Sequence, residues 1–145
     1  MIVRNIIDSK PMRQIITVRP ADTVKSAAEV LAKHRIGAVI VSGDGDLVDG
    51  ILSERDIVRA LGTQGASILD QQVRELMTAE VIGCHPGDTA ISVLEKMTDG
   101  RFRHMPVIDA NRMIGVISIG DVVKARITEV QSENAALTDM ISNSW

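Results

Sequence analysis

Two short stretches of this 145-residue chain place a hydroxyl three residues before a carboxylate: Ser53-x-x-Asp56 and Ser118-x-x-Asp121. Each follows an apolar run opened by glycine, Gly50-Ile51-Leu52 and Gly115-Val116-Ile117, and each leads into residues of helical pattern. Upstream of the second stand two basic residues, Arg103 and His104. Together these groups suit a ligand with a phosphate, a ribose and a base. Arg presents a fork of donors to phosphate, His gains charge near neutral pH, and a carboxylate accepts from two vicinal hydroxyls at once. A plainer reading stands beside this one. Ser followed by an acid at a helix start is also an N-terminal cap, a role compatible with ligand binding, and Arg103 and His104 can be ordinary solvated residues.

Other chemistry finds little support. Gly43-Asp44-Gly45-Asp46 lacks the third glycine of a dinucleotide fingerprint and the Gly-Lys-Ser/Thr of a phosphate loop. Counted as a calcium loop from Asp44, it puts Arg55 where Glu is needed, so a hairpin turn is the reading taken. His34 and His85 have no partner at metal-ligand spacing. No activated nucleophile-base pair is visible, which points away from an enzyme.

The elements that must position the two motifs repeat along the chain. Val3–Asp8 is short and amphipathic, and Ser9-Lys10-Pro11 breaks it. A strand over 15–18 follows, then a helix capped by Asp22 or Thr23, with Val24, Ala27, Ala28 and Leu31 on one face. Strands are expected over 38–42 and 47–52, and a helix over 53–61 stopped by Gly62. Residues 62–67 read as a linker and 68–77 as one helix.

The pattern then restarts: 73–78 echoes 3–8, 81–83 reads as a strand, and Ala90, Val93, Leu94 and Met97 repeat the helical face. A hairpin spans 102–118. From Pro20 to Ile36 against Pro86 to Phe102, 6 of 17 positions are identical; from Gly50 to Ala60 against Gly115 to Ala125, 5 of 11. Each unit is strand-helix-strand-strand-helix, too small to bury both sheet faces alone, so the two must share a core. The fold class is α+β, with units at 1–65 and 66–126 and a helical extension over 127–145. In that extension Val123, Ile127, Val130, Asn134, Leu137 and Ile141 are spaced like a coiled-coil seam; the helix can equally lie against its own module.

Apolar residues make up 45% of the chain and aromatics 1%, so the core must be aliphatic and a nucleic-acid surface of stacked rings is not expected. The net charge of -3 leaves no broad basic footprint. Cys84 is the single cysteine, so no intrachain disulfide forms. No apolar run is long enough to span a membrane and no signal peptide is apparent, which makes the cytoplasm the default expectation.

The duplicated unit, closed in each copy by Gly-hydrophobic-hydrophobic-Ser-x-x-Asp, resembles a tandem pair of cystathionine-β-synthase (CBS) domains, a Bateman module, over about 3–126. The hydrophobic-basic-basic-hydrophobic-Pro-Val run at 102–107 strengthens the resemblance. It implies two pseudo-twofold-related units in a disc with two clefts for adenosine-containing ligands: AMP, ADP, ATP, S-adenosylmethionine or NAD(H). It implies a homodimer that senses energy or metabolite state and regulates a partner protein. By motif position, Asp56 and Asp121 would bond ribose hydroxyls, Ser53 and Ser118 would lie near ribose-phosphate, and Arg103 and His104 would face phosphate. Groups around Thr17, Ala38, Ile82 and Met105 would line the adenine slots. The first repeat departs from the pattern, with Gly37-Ala38 in place of Arg103-His104, so phosphate binding there would depend on Arg55. The other reading is an assembly protein with vestigial or empty clefts.

Overall fold

The computed structural model describes residues 1–10 and 15–143; of the helix break expected at Ser9-Lys10-Pro11 they include Ser9, where the first helix ends, and Lys10, its extended C-cap, while Pro11 lies outside them. The chain runs α1 (Val3–Ser9), β1 (Thr17–Val18), α2 (Val24–His34), β2 (Ala38–Val41), β3 (Gly50–Ser53) and α3 (Glu54–Gln64). A 3-10 turn (Ala66–Asp70), α4 (Val73–Leu76), α5 (Ala90–Gly100), β4 (His104–Asp109), β5 (Arg112–Ser118) and α6 (Ile119–Asn143) follow. The first sheet has the order β1-β2-β3, with β1 parallel and β3 antiparallel to β2. The second is the β4-β5 hairpin, with Cys84 bridging to Val107 beside it.

Local chemistry accounts for most boundaries. Thr23 and Thr89 cap α2 and α5 by accepting from the N–H of Ser26 and Ser92, both at 3.1 Å. Both helices end on an arginine in the left-handed region, Arg35 and Arg101. Several expected elements are shorter or divided. The strand expected at 47–52 begins only at Gly50, because the Asp44 carboxylate takes the N–H groups of Asp46 and Leu47, each at 2.9 Å, and closes the loop on itself. Those bonds hold the Asp44 carboxyl below the usual range, the one from Leu47 first. Helix α3 runs through Gly62 to Gln64 and stops at Gly65, whose φ of 84° needs glycine. The expected linker is therefore structured, and the expected helix over 68–77 is two pieces. It divides at Gln71 and Gln72 because the Gln71 carbonyl accepts from the Val24 N–H at 2.9 Å, a tertiary bond. No strand forms over 81–83; the ladder bonds are made at Cys84, which donates to the Pro106 carbonyl at 3.0 Å and accepts from Ile108 at 2.8 Å.

Packing crosses the repeats. Val3 and Ile6 of α1 lie in one core with Val93, Met97, Met105, Val107 and Ile117. Ile68 and Val73 lie in the other, with Val24, Leu31, Val39, Leu52 and Ile57. The backbone repeats the exchange bond for bond. Val3 and Arg4 donate to the carbonyls of Asp88 and Pro86, at 2.8 and 3.0 Å; Val73 and Arg74 donate to Asp22 and Pro20, again at 2.8 and 3.0 Å. Each repeat's leading helix is thus docked on the other repeat.

That docking explains the motif glycines. A Cβ at Gly50 would stand 2.6 Å from the Met77 sulfur and 2.9 Å from the Thr78 carbonyl oxygen; one at Gly115 would meet the Ile7 side chain at 3.2 Å. The repeats also meet at His104 and Gly37, where a Cβ on Gly37 would lie 3.2 Å from the imidazole Cε1. Burial in this junction lowers the His104 pKa from its ordinary value, although Glu54 and Asp121 pull it up.

Two outcomes are expected for stability. Gly50→Ala should cost about 1–3 kcal/mol by overpacking, because the Thr78 backbone must move. Gly115→Ala should cost less, since only the end of Ile7 is in the way; urea unfolding of both variants checks the order. As pH falls below the ordinary histidine value of 6.5, the unfolded chain takes up the His104 proton before the folded one does. Folding stability present above that value is then lost on acidification. Urea unfolding at about pH 7.5 and about pH 5.5 should therefore show a smaller loss for His104→Gln than for the wild-type chain.

Candidate functional site

The two Ser-x-x-Asp motifs sit where a strand becomes a helix, and each is a reciprocal cap. Ser53 N–H donates to Asp56 Oδ2 at 2.9 Å while Asp56 N–H donates to Ser53 Oγ at 3.2 Å. Ser118 and Asp121 make the same pair at 2.8 and 3.1 Å. The capping reading therefore holds for both motifs, and it fixes each carboxylate at the wall of a cavity.

The cavity at Asp121, of about 460 Å³, is lined by Ser118 and Asp121 from the second repeat and by Lys10, Ile15, Ile16 and Ile36 from the first. The cavity at Asp56, of about 420 Å³, is lined by Ser53, Arg55 and Asp56 from the first repeat and by Ile82, Arg101 and Arg103 from the second. Both volumes fall within the range of small-molecule sites. Gly37, Ala38 and His104 line both cavities, forming the partition between them.

This crossing corrects the expected grouping. Arg103 faces the Asp56 cavity and not the Asp121 cavity, because each closing motif meets the opening segment of the other repeat. His104 pairs with Ser118 across the hairpin and reaches both sites. Burial lowers its pKa, which favours the neutral, hydrogen-bonding ring over the protonated form. Met105 is fully buried in the core and lines neither cavity. Thr17 pairs with Ile40 in the sheet and also lies off both walls, where its neighbours Ile15 and Ile16 stand instead.

The cavities differ in how their charges are paired. The Asp56 cavity gathers Arg55, Arg59, Arg101 and Arg103 around Glu54, Asp56 and Glu80, four cations against three carboxylates. Among the described residues none of these arginines makes an ion pair. The Asp121 cavity is lined by Lys10 and Arg35, and the Lys10 Nζ lies 2.9 Å from Asp121 Oδ2. Burial pushes the Asp121 pKa up, but the bonds from the Ser118 N–H and from Lys10 outweigh it and hold the carboxyl below the usual range. Lys10, Arg101 and Glu80 were not singled out from the sequence. The repeat itself contained the signal, since Lys10 and Glu80 take the same place after 3–8 and 73–78.

No group of His, Cys, Asp and Glu among the described residues is arranged to hold a metal ion. Burial pushes the Cys84 thiol up to about 12, so it is not a poised nucleophile. No helix among the described residues is long and apolar enough to cross a membrane.

Comparison with known proteins gives a consistent result. The CBS domain family model matches residues 3–63 and 73–128. A CBS-domain containing protein from Agrobacterium tumefaciens is 45% identical, with 87% of this chain and 99% of that chain covered and a TM-score of 0.83. The CBS domain pair of protein MJ0100, solved with 5′-methylthioadenosine and S-adenosyl-L-methionine, is 26% identical over 89% of this chain and 98% of its own, with a TM-score of 0.76. The mitochondrial CBS domain-containing protein CBSX3 of Arabidopsis thaliana is 37% identical over 86% of this chain. The present chain spans 62% of that relative's length, and the relative's compartment shows that such proteins are not confined to the cytoplasm. Both repeats match and the paired fold is shared, so the chain belongs to the CBS-domain family, as a tandem pair of CBS domains.

Proposed function

We propose that this chain is a regulatory module that binds adenosine-containing ligands and acts on a partner protein. In this reading the Asp56 cleft takes a ligand with an anionic tail, of the AMP, ADP or ATP type. The observation that carries it is the set of arginines lining one cavity with Asp56. Guanidinium groups without carboxylate partners are donors in search of an anion, and Asp56 stands beside them as an acceptor for a sugar diol. The adenosine part is supported by MJ0100, whose domain pair was solved with two adenosine-containing ligands. S-adenosylmethionine carries a sulfonium cation, which the arginines would oppose. NAD(H) brings two phosphates and a second nucleoside, and it belongs in the same titrations. A purely architectural role predicts that none of these ligands binds.

A homodimer is part of the same proposal. Helix α6 buries Val122 and Ala125 against its own module, while Val123, Ile127, Val130, Leu137 and Ile141 are exposed. Their spacing is that of a helix-pairing stripe, interrupted by Asn134. The stripe is thus available to a second copy, with the disc surface adding area.

Arg103→Ala should weaken AMP binding by about 1.5–3 kcal/mol, the range for a hydrogen bond to a charged group, and leave adenosine binding almost unchanged. Asp56→Ala should weaken both ligands, and 2′,3′-dideoxyadenosine should lose most of the difference between the two proteins. Titration calorimetry measures each pair; equal losses of AMP and adenosine in Arg103→Ala would assign that residue to shaping the cleft. Light scattering at micromolar concentration should give a dimer for the full chain and a larger monomer fraction after truncation at Arg126. An unchanged dimer in the truncated protein would remove the helix from the interface.

A further inference from the structure

The Asp121 cleft carries a cation of its own. Lys10 follows α1, and its Nζ donates to Asp121 Oδ2 at 2.9 Å and to the Val116 carbonyl at 2.8 Å. The two side chains are 30% and 25% exposed, so the pair is only partly solvated. The Pro106 carbonyl, opposite Val116 in the hairpin, accepts from Cys84 on its far side. The polar groups of Val116 therefore point away from β4, on the side of Lys10.

In the other repeat the corresponding strand has a backbone partner. There Ile51 exchanges two backbone bonds with Thr78, at 3.0 and 2.9 Å, and Glu80 stands at the position that corresponds to Lys10. Among the described residues Asp56 is accordingly left without an ion-pair partner, whereas Lys10 bonds both the Val116 carbonyl and Asp121.

We propose that Lys10 is a specificity-determining competitor for Asp121: its ammonium shares Oδ2 with the Ser118 N–H, so a nucleoside diol that bonds both carboxylate oxygens must displace it. The inference rests on the adenosine reading of the clefts. It makes the two sites unequal in a direction the motifs alone do not show. The Asp56 cleft fills first, and the Asp121 cleft fills at higher ligand concentration or with a ligand whose anionic tail rewards the released ammonium elsewhere.

The test uses the full chain, adenosine as the probe, and the variants Lys10→Met and Lys10→Gln. Amide shifts of Ser53 and Ser118 in an NMR titration report the two clefts separately. Both variants should bind adenosine at the Ser118 side about five- to tenfold more tightly than wild type, the scale of a partly solvated ion pair, with the Ser53 side unchanged. Unchanged or weaker binding at Ser118 in both variants would overturn the proposal, the latter by making Lys10 a ligand contact. The Asp121 carboxyl resonance supplies a readout without ligand: its titration should move to higher pH in either variant, and a carboxyl that does not move overturns the bridge. If adenosine binds neither cleft in any of the three proteins while that carboxyl does move, it is the adenosine reading that fails, and this inference falls with it.

Discussion

The reciprocal docking of the two leading helices is the constraint on which the rest of this molecule depends. A helix of the length of α1 or α4 has no stability of its own in water. Each is held by a pair of backbone bonds to the proline turn of the other repeat and by burial of a valine, Val3 or Val73, in the opposite core. Neither unit has a complete core without a segment from its twin. The glycines that open the two closing motifs follow from this geometry, because Ile7 and Met77 pack where a Cβ would stand. What reads in sequence as two consecutive domains is in space one interlocked body.

Interlocking also decides where the polar groups meet. Each Ser-x-x-Asp motif caps its helix from its own repeat, and the reciprocal bonds spend one carboxylate oxygen on that task. The remaining wall of each cavity comes from the other repeat. The cap holds the carboxylate still, and a group held still by bonds to the charged form is a better-defined acceptor than a mobile one. The partition is thin, made by Gly37 and Ala38 from one side and His104 from the other, and the absent side chain of Gly37 is what admits the imidazole.

The two cavities are similar in volume and unlike in how their charges are paired. One collects arginines that make no ion pair among the described residues; in the other Lys10 pairs with the aspartate. A few substitutions on a conserved backbone have this effect because charge at a cavity wall acts over several ångströms in a poorly solvated space, whereas packing constrains only the apolar positions. Two copies of one unit can therefore carry different selectivities without any change of fold.

Much of this was legible in the sequence by itself. The apolar spacing of Val24, Ala27 and Leu31 and of Ala90, Val93 and Met97 determined two buried helical faces, because a helix returns to the same side every three to four residues. Thr23, Thr89, Ser53 and Ser118 marked helix starts, because a cap is a contact between near neighbours in the chain. The internal repeat determined the paired architecture and the family. Tertiary structure alone decided which groups share a cavity: Arg103 with Asp56, Lys10 with Asp121. It also decided that Met105 is core, that burial lowers the His104 pKa, and that the 68–77 helix divides at Gln71 and Gln72. The reason is common to all of these. Each depends on a contact between residues far apart in the chain, across an axis that exists only once the repeats have exchanged their leading helices, and no local periodicity encodes which side of that axis a side chain will face.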